Sequence, residues 1–220
     1  MKKNILPSLL SFKVDEWKDC INISKQFGIN EFHFDVMEYE YVKNTSFNQD
    51  EFKYFLSLDK NIYANVHLMV LKPREWIDQF ISNQTTCIYF HYEVMSNINE
   101  SIELIKYIKS KNIDAGIAIN PNNNILEYQE LLPYIDSILV MGVYPGFGGQ
   151  AFIDSTILNL KDIFDFRKKK KLMFSIEFDG GLNFDTTEKI YEWTDKFVMG
   201  SFYYKNINDV DKLIKWFKKL

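Results

Sequence analysis

The sequence predicts an α/β protein: a closed (β/α)₈, or TIM, barrel with a parallel sheet, formed as a single domain over residues 1–220. Three observations predict it. Short apolar runs of β character alternate strictly with amphipathic stretches, the pattern of parallel strands joined by crossover helices. Eight such units fill the 220 residues, which suits a closed eight-stranded barrel better than an open sheet. Polar residues that a strand buried on both faces should exclude gather at strand ends, where such a barrel carries its active face.

Each element has its own signal. Residues 4–10 read as the first strand, and 15–27 as a helix with Val14, Trp17, Ile21 and Ile23 giving its apolar stripe. A strand over 30–37 precedes a helix over 49–57, and a strand over 62–69 precedes a helix opened by Lys72-Pro73 and running to about 82. Proline suits that position because the first helical turn needs no N–H there. A strand over 86–91 and a helix over 97–111 follow, then a strand over 113–119 stopped by Asn120-Pro121 and a helix over 124–132 ending before Pro133. The last units are strand 136–142 with helix 154–169, strand 173–179 with helix 184–192, and strand 195–199 with helix 207–219. No linker or composition shift divides the chain, and no close internal repeat accompanies the alternation.

Bulk properties exclude several classes. The chain is 46% hydrophobic, enough for a full core, yet no run of about 18 apolar residues exists to span a membrane. The apolar stretch after Met1-Lys2-Lys3 is too short for a signal peptide. Cys20 and Cys87 stand far apart in regular structure, which fits reduced, buried thiols in a cytoplasmic protein. A net charge of −4 implies no general attraction to nucleic acid. The basic run Arg167-Lys168-Lys169-Lys170-Lys171 reads as the solvated last turn of a helix, where cations oppose the dipole. The 16% aromatic content locates no interface, so a homo-oligomer stays open.

Only three histidines occur, and two sit in strand-end patterns beside acids. In Glu31-Phe32-His33-Phe34-Asp35-Val36-Met37, alternation sends His33 and Asp35 to one face and Phe32, Phe34 and Val36 to the other. His67 ends Asn65-Val66-His67-Leu68-Met69, and Asp179 ends an apolar strand before Gly180-Gly181. Two imidazoles and two carboxylates can close around one divalent ion; this mixed set suits Zn²⁺, Fe²⁺ or Mn²⁺. With Ser8 and His91, six polar residues from five strands converge on one barrel mouth. Taken singly, a strand-end histidine is a satisfied core residue and Asp179 merely opens a turn; together they mark a site.

Glycines supply a second clue. Gly146-Phe147-Gly148-Gly149 follows strand six, Gly180-Gly181 strand seven, and Gly200-Ser201 strand eight. Loops after strands seven and eight form the usual phosphate site of this fold, with backbone amides approaching the anion.

These residues carry a resemblance. The stretches Leu6-Pro7-Ser8-Leu9-Leu10-Ser11, His33-Phe34-Asp35-Val36-Met37, Val66-His67-Leu68-Met69, Phe90-His91-Tyr92-Glu93, Pro145-Gly146-Phe147-Gly148-Gly149-Gln150 with Phe152, Asp179-Gly180-Gly181 and Gly200-Ser201 resemble the ribulose-phosphate 3-epimerases along nearly the full length. The resemblance implies a divalent metal held by His33, Asp35, His67 and Asp179, with Asp35 and Asp179 also the acid–base pair. It implies substrate contact by Ser8 and His67, a pocket lined by Met37, Met69 and Met141, and a phosphate held by the glycines after strands six to eight. His91 takes no ligand role from it. The implied reaction inverts C3 of a ketopentose phosphate, ribulose 5-phosphate to xylulose 5-phosphate, through an enediolate.

The departures from that family's pattern lie in loops over the substrate: Glu38-Tyr39 where Asp-Gly is usual, Lys43 for proline, Tyr144 for a small polar or acidic residue, and Gly142 for Ser or Thr. Tyr39, Tyr41 and Tyr144 are placed to narrow the mouth, which keeps a second substrate open, a ketohexose 6-phosphate such as allulose 6-phosphate. A barrel lyase that decarboxylates a phosphorylated keto-acid through an enediolate needs a lysine near the acids of strands two and three, and Val66-His67-Leu68-Met69 holds none. A non-catalytic sugar-phosphate binder would commonly have lost one of the four acids and imidazoles, and all four remain.

Overall fold

The computed structural model describes residues 3–220; Met1 and Lys2, where the expected domain and the N-terminal reading begin, lie outside them. Eight strands occur among the described residues: β1 (Asn4–Pro7), β2 (Glu31–Met37), β3 (Tyr63–Met69), β4 (Thr85–His91), β5 (Asp114–Ile119), β6 (Ser137–Met141), β7 (Ser175–Asp179) and β8 (Lys196–Met199). All pairings are parallel, in the order β1-β8-β7-β6-β5-β4-β3-β2. A single parallel bridge between Ser8 and His33 joins the two ends of that series. The fold is therefore a (β/α)₈ barrel, and the bridge that closes it lies among the residues singled out above.

The helices are α1 (Trp17–Gln26), α2 (Tyr39–Val42), α3 (Gln49–Ser57), α4 (Pro73–Trp76), α5 (Ile98–Lys109), α6 (Ile125–Tyr128), α7 (Thr156–Lys170), α8 (Phe184–Ile190), α9 (Ser201–Lys205) and α10 (Val210–Phe217). Asparagine starts four of them. The side chains of Asn48, Asn97, Asn124 and Asn183 each accept from a first-turn N–H, satisfying donors that have no intrahelical partner.

Several boundaries differ from expectation. The first strand stops at Pro7, because Ser8 Oγ accepts from Leu10 N–H and turns Leu9–Ser11 into a 3₁₀ segment. The helix expected over 124–132 holds α geometry only to Tyr128. The two short helices α2 and α9 break the strict alternation; they sit in βα loops at the barrel mouth, too short for any periodicity to announce them.

Alternation along β2 sorts its side chains as expected. Phe34 faces outward into an aromatic layer, with ring centroids 5.2 Å from Phe52 and 6.0 Å from Trp17. Leu6, Tyr89, Leu139 and Val198 fill the barrel interior together with buried His33, Asn65, His67 and Glu177.

The basic run requires a correction. Lys168 to Lys171 are exposed, but Arg167 is buried. Its guanidinium donates to Phe174 O at 3.0 Å and pairs with the Asp195 carboxylate, which also accepts from Ile176 N–H at 2.8 Å. This pair pins α7 against the strand starts of β7 and β8. Arg167→Ala leaves Asp195 buried without its countercharge, so urea unfolding at pH 7 should show a loss of about 3–5 kcal/mol.

Candidate active site

Register builds the site in layers. Across β2 and β3, His33 pairs with Asn65, Asp35 with His67 and Met37 with Met69, so three interior layers rise toward the mouth. Met141 on β6 stands opposite Asp179 on β7. Near-continuous apolar runs hold these strands in place, and the polar residues occur only where side chains turn into the barrel.

One ligand atom from each of His33, Asp35, His67 and Asp179 lies within 4.8 Å of all the others. His33 Nε2 is 3.4 Å from Asp35 Oδ1 and 4.0 Å from Asp179 Oδ2, and His67 Nδ1 is 3.4 Å from Asp35 Oδ1. Both of those imidazole nitrogens are buried with no hydrogen-bond partner. Leaving such atoms unpaired is costly, and their aim toward two carboxylates satisfies a divalent cation's demand for lone pairs. The four residues thus fit one divalent metal ion.

The remaining edges of the cluster are tied down. Ser8 Oγ donates to Asp35 Oδ2 at 2.8 Å. His33 Nδ1 lies 2.8 Å from Asn65 Oδ1 and 3.2 Å from Glu177 Oε1, while Asn65 Nδ2 and Tyr89 OH donate to Glu177 Oε2 at 3.0 and 2.9 Å. Asn65 and Glu177 escaped the sequence reading. Their signal was available: each stands two residues before a singled-out residue, His67 and Asp179, and so on the same strand face. His91 is fully buried behind His67, their Nε2 atoms 2.9 Å apart.

Electrostatics divide the two aspartates. Burial pushes the Asp35 carboxyl up, but His33 and His67 outweigh it and hold the group well below the usual carboxylate range. Burial raises Asp179 to about 7; His33 opposes this, and the charges of Asp35 and Glu177 add to it. Burial holds the His67 imidazole down at about 4, a neutral ligand at neutral pH. Burial also disfavours charge on His33, yet Asp35, Glu177 and Asp179 prevail and raise it.

A pocket opens above the cluster. Asp35 and Asp179 face it, with Ser8 and the buried Met37, Met69 and Met141 beside them. Its far wall holds Gly146, Phe147, Gly148 and Gly149 after β6, Gly180 and Gly181 after β7, and Gly200 and Ser201 after β8. His33 and His67 lie beneath this floor, fully buried. Gly181, at φ +69°, packs so closely that a Cβ would fall 2.5 Å from Phe152 Cα. Tyr144 lines the pocket, Tyr41 reaches to Glu93, and Tyr39 is 58% exposed.

A parallel eight-stranded barrel with a His₂Asp₂ cluster able to hold a divalent cation and a glycine-walled pocket at its C-terminal mouth defines a class, the TIM-barrel enzymes. The chain belongs to the ribulose-phosphate 3-epimerase family, whose model matches residues 4–204. It is thus an isomerase, of the epimerase kind that acts on carbohydrates. A ribulose-phosphate 3-epimerase of Buchnera aphidicola subsp. Baizongia pistaciae is 34% identical over 212 residues, covering 94% of this chain and 92% of that protein. One of Eremothecium gossypii is 34% identical over 199 residues, covering 84% and 79%. Among solved structures, a mutant tryptophan synthase α-subunit from Pyrococcus furiosus superposes with a TM-score of 0.64 over 94% of this chain and 90% of that one, at 9% identity; that likeness concerns the fold alone. No helix among the described residues is long and apolar enough to cross a membrane.

Proposed function

We propose that this protein interconverts ribulose 5-phosphate and xylulose 5-phosphate by inverting C3, with Asp35 and Asp179 as the acid–base pair and His33, Asp35, His67 and Asp179 as ligands of one Zn²⁺, Fe²⁺ or Mn²⁺. One observation carries this reading. Two carboxylates from different strands, Asp35 of β2 and Asp179 of β7, face one pocket and meet His33 and His67 within 4.8 Å, and burial raises Asp179 while the imidazoles lower Asp35. Separated carboxyl pKa values assign a base and an acid.

Asp35, ionised and steadied by Ser8, takes the C3 proton from one face of the sugar. Asp179, protonated, delivers its own proton to the opposite face of the planar enediolate. The roles exchange for the return reaction. When bound, the cation supplies Lewis-acid polarisation of the keto oxygen next to that carbon. Met37, Met69 and Met141 enclose the reacting carbons with side chains that neither donate nor accept protons. The glycine wall, with Ser201 at the start of α9, receives the phosphate and anchors the substrate away from the reacting carbon. The two free, buried thiols of Cys20 and Cys87 suit a reducing, cytoplasmic setting.

The test is a substrate panel run in D₂O. Ribulose 5-phosphate should turn over efficiently, and deuterium should enter at C3. Efficient turnover of a ketohexose 6-phosphate such as allulose 6-phosphate, with poor turnover of the pentose, would replace the substrate and keep the chemistry. Absence of C3 label with either sugar would make the protein a binder.

A further inference from the structure

We propose that His91 and Glu93 form a positioning relay that sets the His67 imidazole in the tautomer whose Nδ1 lone pair faces the cation site, and that Tyr41 ties this relay to the pocket rim. The inference rests on the ligand set proposed above and concerns residues outside it.

The chain of contacts starts at a group that can only accept. Glu93 Oε1 takes a hydrogen bond from Tyr41 OH at 2.7 Å and one from Asn120 Nδ2. The same oxygen lies 3.2 Å from His91 Nδ1. A carboxylate has no proton to give, so His91 Nδ1 carries the hydrogen. With one ring hydrogen, held on Nδ1, His91 offers Nε2 as a lone pair. It lies 2.9 Å from His67 Nε2, which must donate, leaving His67 Nδ1 unprotonated. That atom is the one 3.4 Å from Asp35 Oδ1, buried and without a hydrogen-bond partner. Which ring nitrogen binds a metal is set by the bond the other one makes. The opposite tautomer would place an N–H in the cluster, where it blocks a cation.

The two imidazoles of the cluster are therefore backed differently. His33 presents Nε2 and rests Nδ1 on Asn65, which Glu177 holds inside the barrel. His67 presents Nδ1 and rests on a relay that runs outward. Its outer end is α2, whose Tyr41 supplies the hydroxyl. Asn44, just beyond α2, donates to Gly146 O at 2.6 Å, and Val42 packs so closely that a Cβ on Gly146 would fall 3.0 Å from it. The relay thus joins the buried ligand to the segment that spans the mouth from β2 to the loop after β6.

Cobalt(II) binding tests this, read by competition with a chromophoric chelator and by the visible d–d spectrum, with circular dichroism and melting to score folding. His91→Leu, which neither accepts nor donates, should weaken Co²⁺ binding about 10–100-fold with the fold retained. His91→Gln, whose carbonyl oxygen accepts from His67, should recover most of that loss and keep the wild-type band shape. Glu93→Gln, whose amide is able to donate to His91 and release the fixed tautomer, should weaken binding, and Tyr41→Phe should do so to a smaller extent. Folded His91→Leu that binds Co²⁺ as tightly as wild type overturns the relay, as does His91→Gln that fails as badly as His91→Leu. If His91→Leu does not fold, unchanged binding by Glu93→Gln overturns it. Wild-type protein that binds no Co²⁺ would instead remove the ligand set itself.

Discussion

Asp179→Asn should lower kcat about 10²–10⁴-fold, the usual worth of a positioned acid or base, while the protein keeps its fold and binds its cation. Asparagine retains the size of the side chain and an oxygen at the same place, and removes the transferable proton together with the capacity to become a carboxylate. The variant separates the two halves of the reaction. Asp35 remains able to take the C3 proton of ribulose 5-phosphate and return one from solvent to the same face. Deuterium should therefore still enter the starting epimer while the other epimer fails to accumulate. Steady-state kinetics, NMR of the recovered sugar and metal analysis of the variant check the three parts together. Turnover near wild type would remove Asp179 from the acid–base pair; loss of label along with turnover would mean that both aspartates serve the first proton transfer.

Stripping the protein with a chelator should lower turnover by more than about 10³-fold, the kinetic equivalent of several kcal/mol of charge stabilisation. Zn²⁺, Fe²⁺ or Mn²⁺ should restore it. The affinity for the restoring cation should depend on pH, with a sign that follows from the site. Among the protein groups alone, Asp179 holds its proton up to about pH 7, and His33 is raised above the ordinary imidazole range. A cation needs the lone pair of His33, so proton and cation compete there, whereas Asp179 can present one carboxyl oxygen while the other keeps the proton it transfers. Affinity should fall as pH drops below 7, by up to about tenfold per pH unit for each proton displaced. His67, held down at about 4, and Asp35, held below the carboxylate range, already offer lone pairs and add nothing to the slope in that window. Isothermal titration in buffers of different ionisation enthalpy measures the released protons directly. An affinity constant between pH 5.5 and 8 would place the ion elsewhere.

Much of the site is visible in the chain because barrel strands leave so little room for polar residues. His33, Asp35, His67 and Asp179 interrupt apolar runs at strand ends, and all four meet within 4.8 Å. The glycine groups after three successive strands line the same pocket. Asn65 and Glu177 are less visible, since each stands two residues inside its strand from the end marked by His67 or Asp179, although the same period of two includes them. Arg167 was hidden by its four lysine neighbours. A run of like charges reads as solvated surface, and only the packing of α7 against β7 and β8 turns its first member inward to Asp195.

By itself the sequence determined the eightfold alternation, the shared face of His33 and Asp35 on the second strand and the identity of the four clustered side chains, because strand periodicity and apolar content act locally and need no knowledge of distant partners. The tertiary structure alone decided the meeting of β1 and β2 at the Ser8–His33 bridge, the divided protonation of Asp35 and Asp179, and the line from His67 through His91 and Glu93 to Tyr41. Those properties depend on burial and on contacts between residues far apart in the chain, and electrostatic fields and hydrogen-bond direction exist only once the barrel has closed.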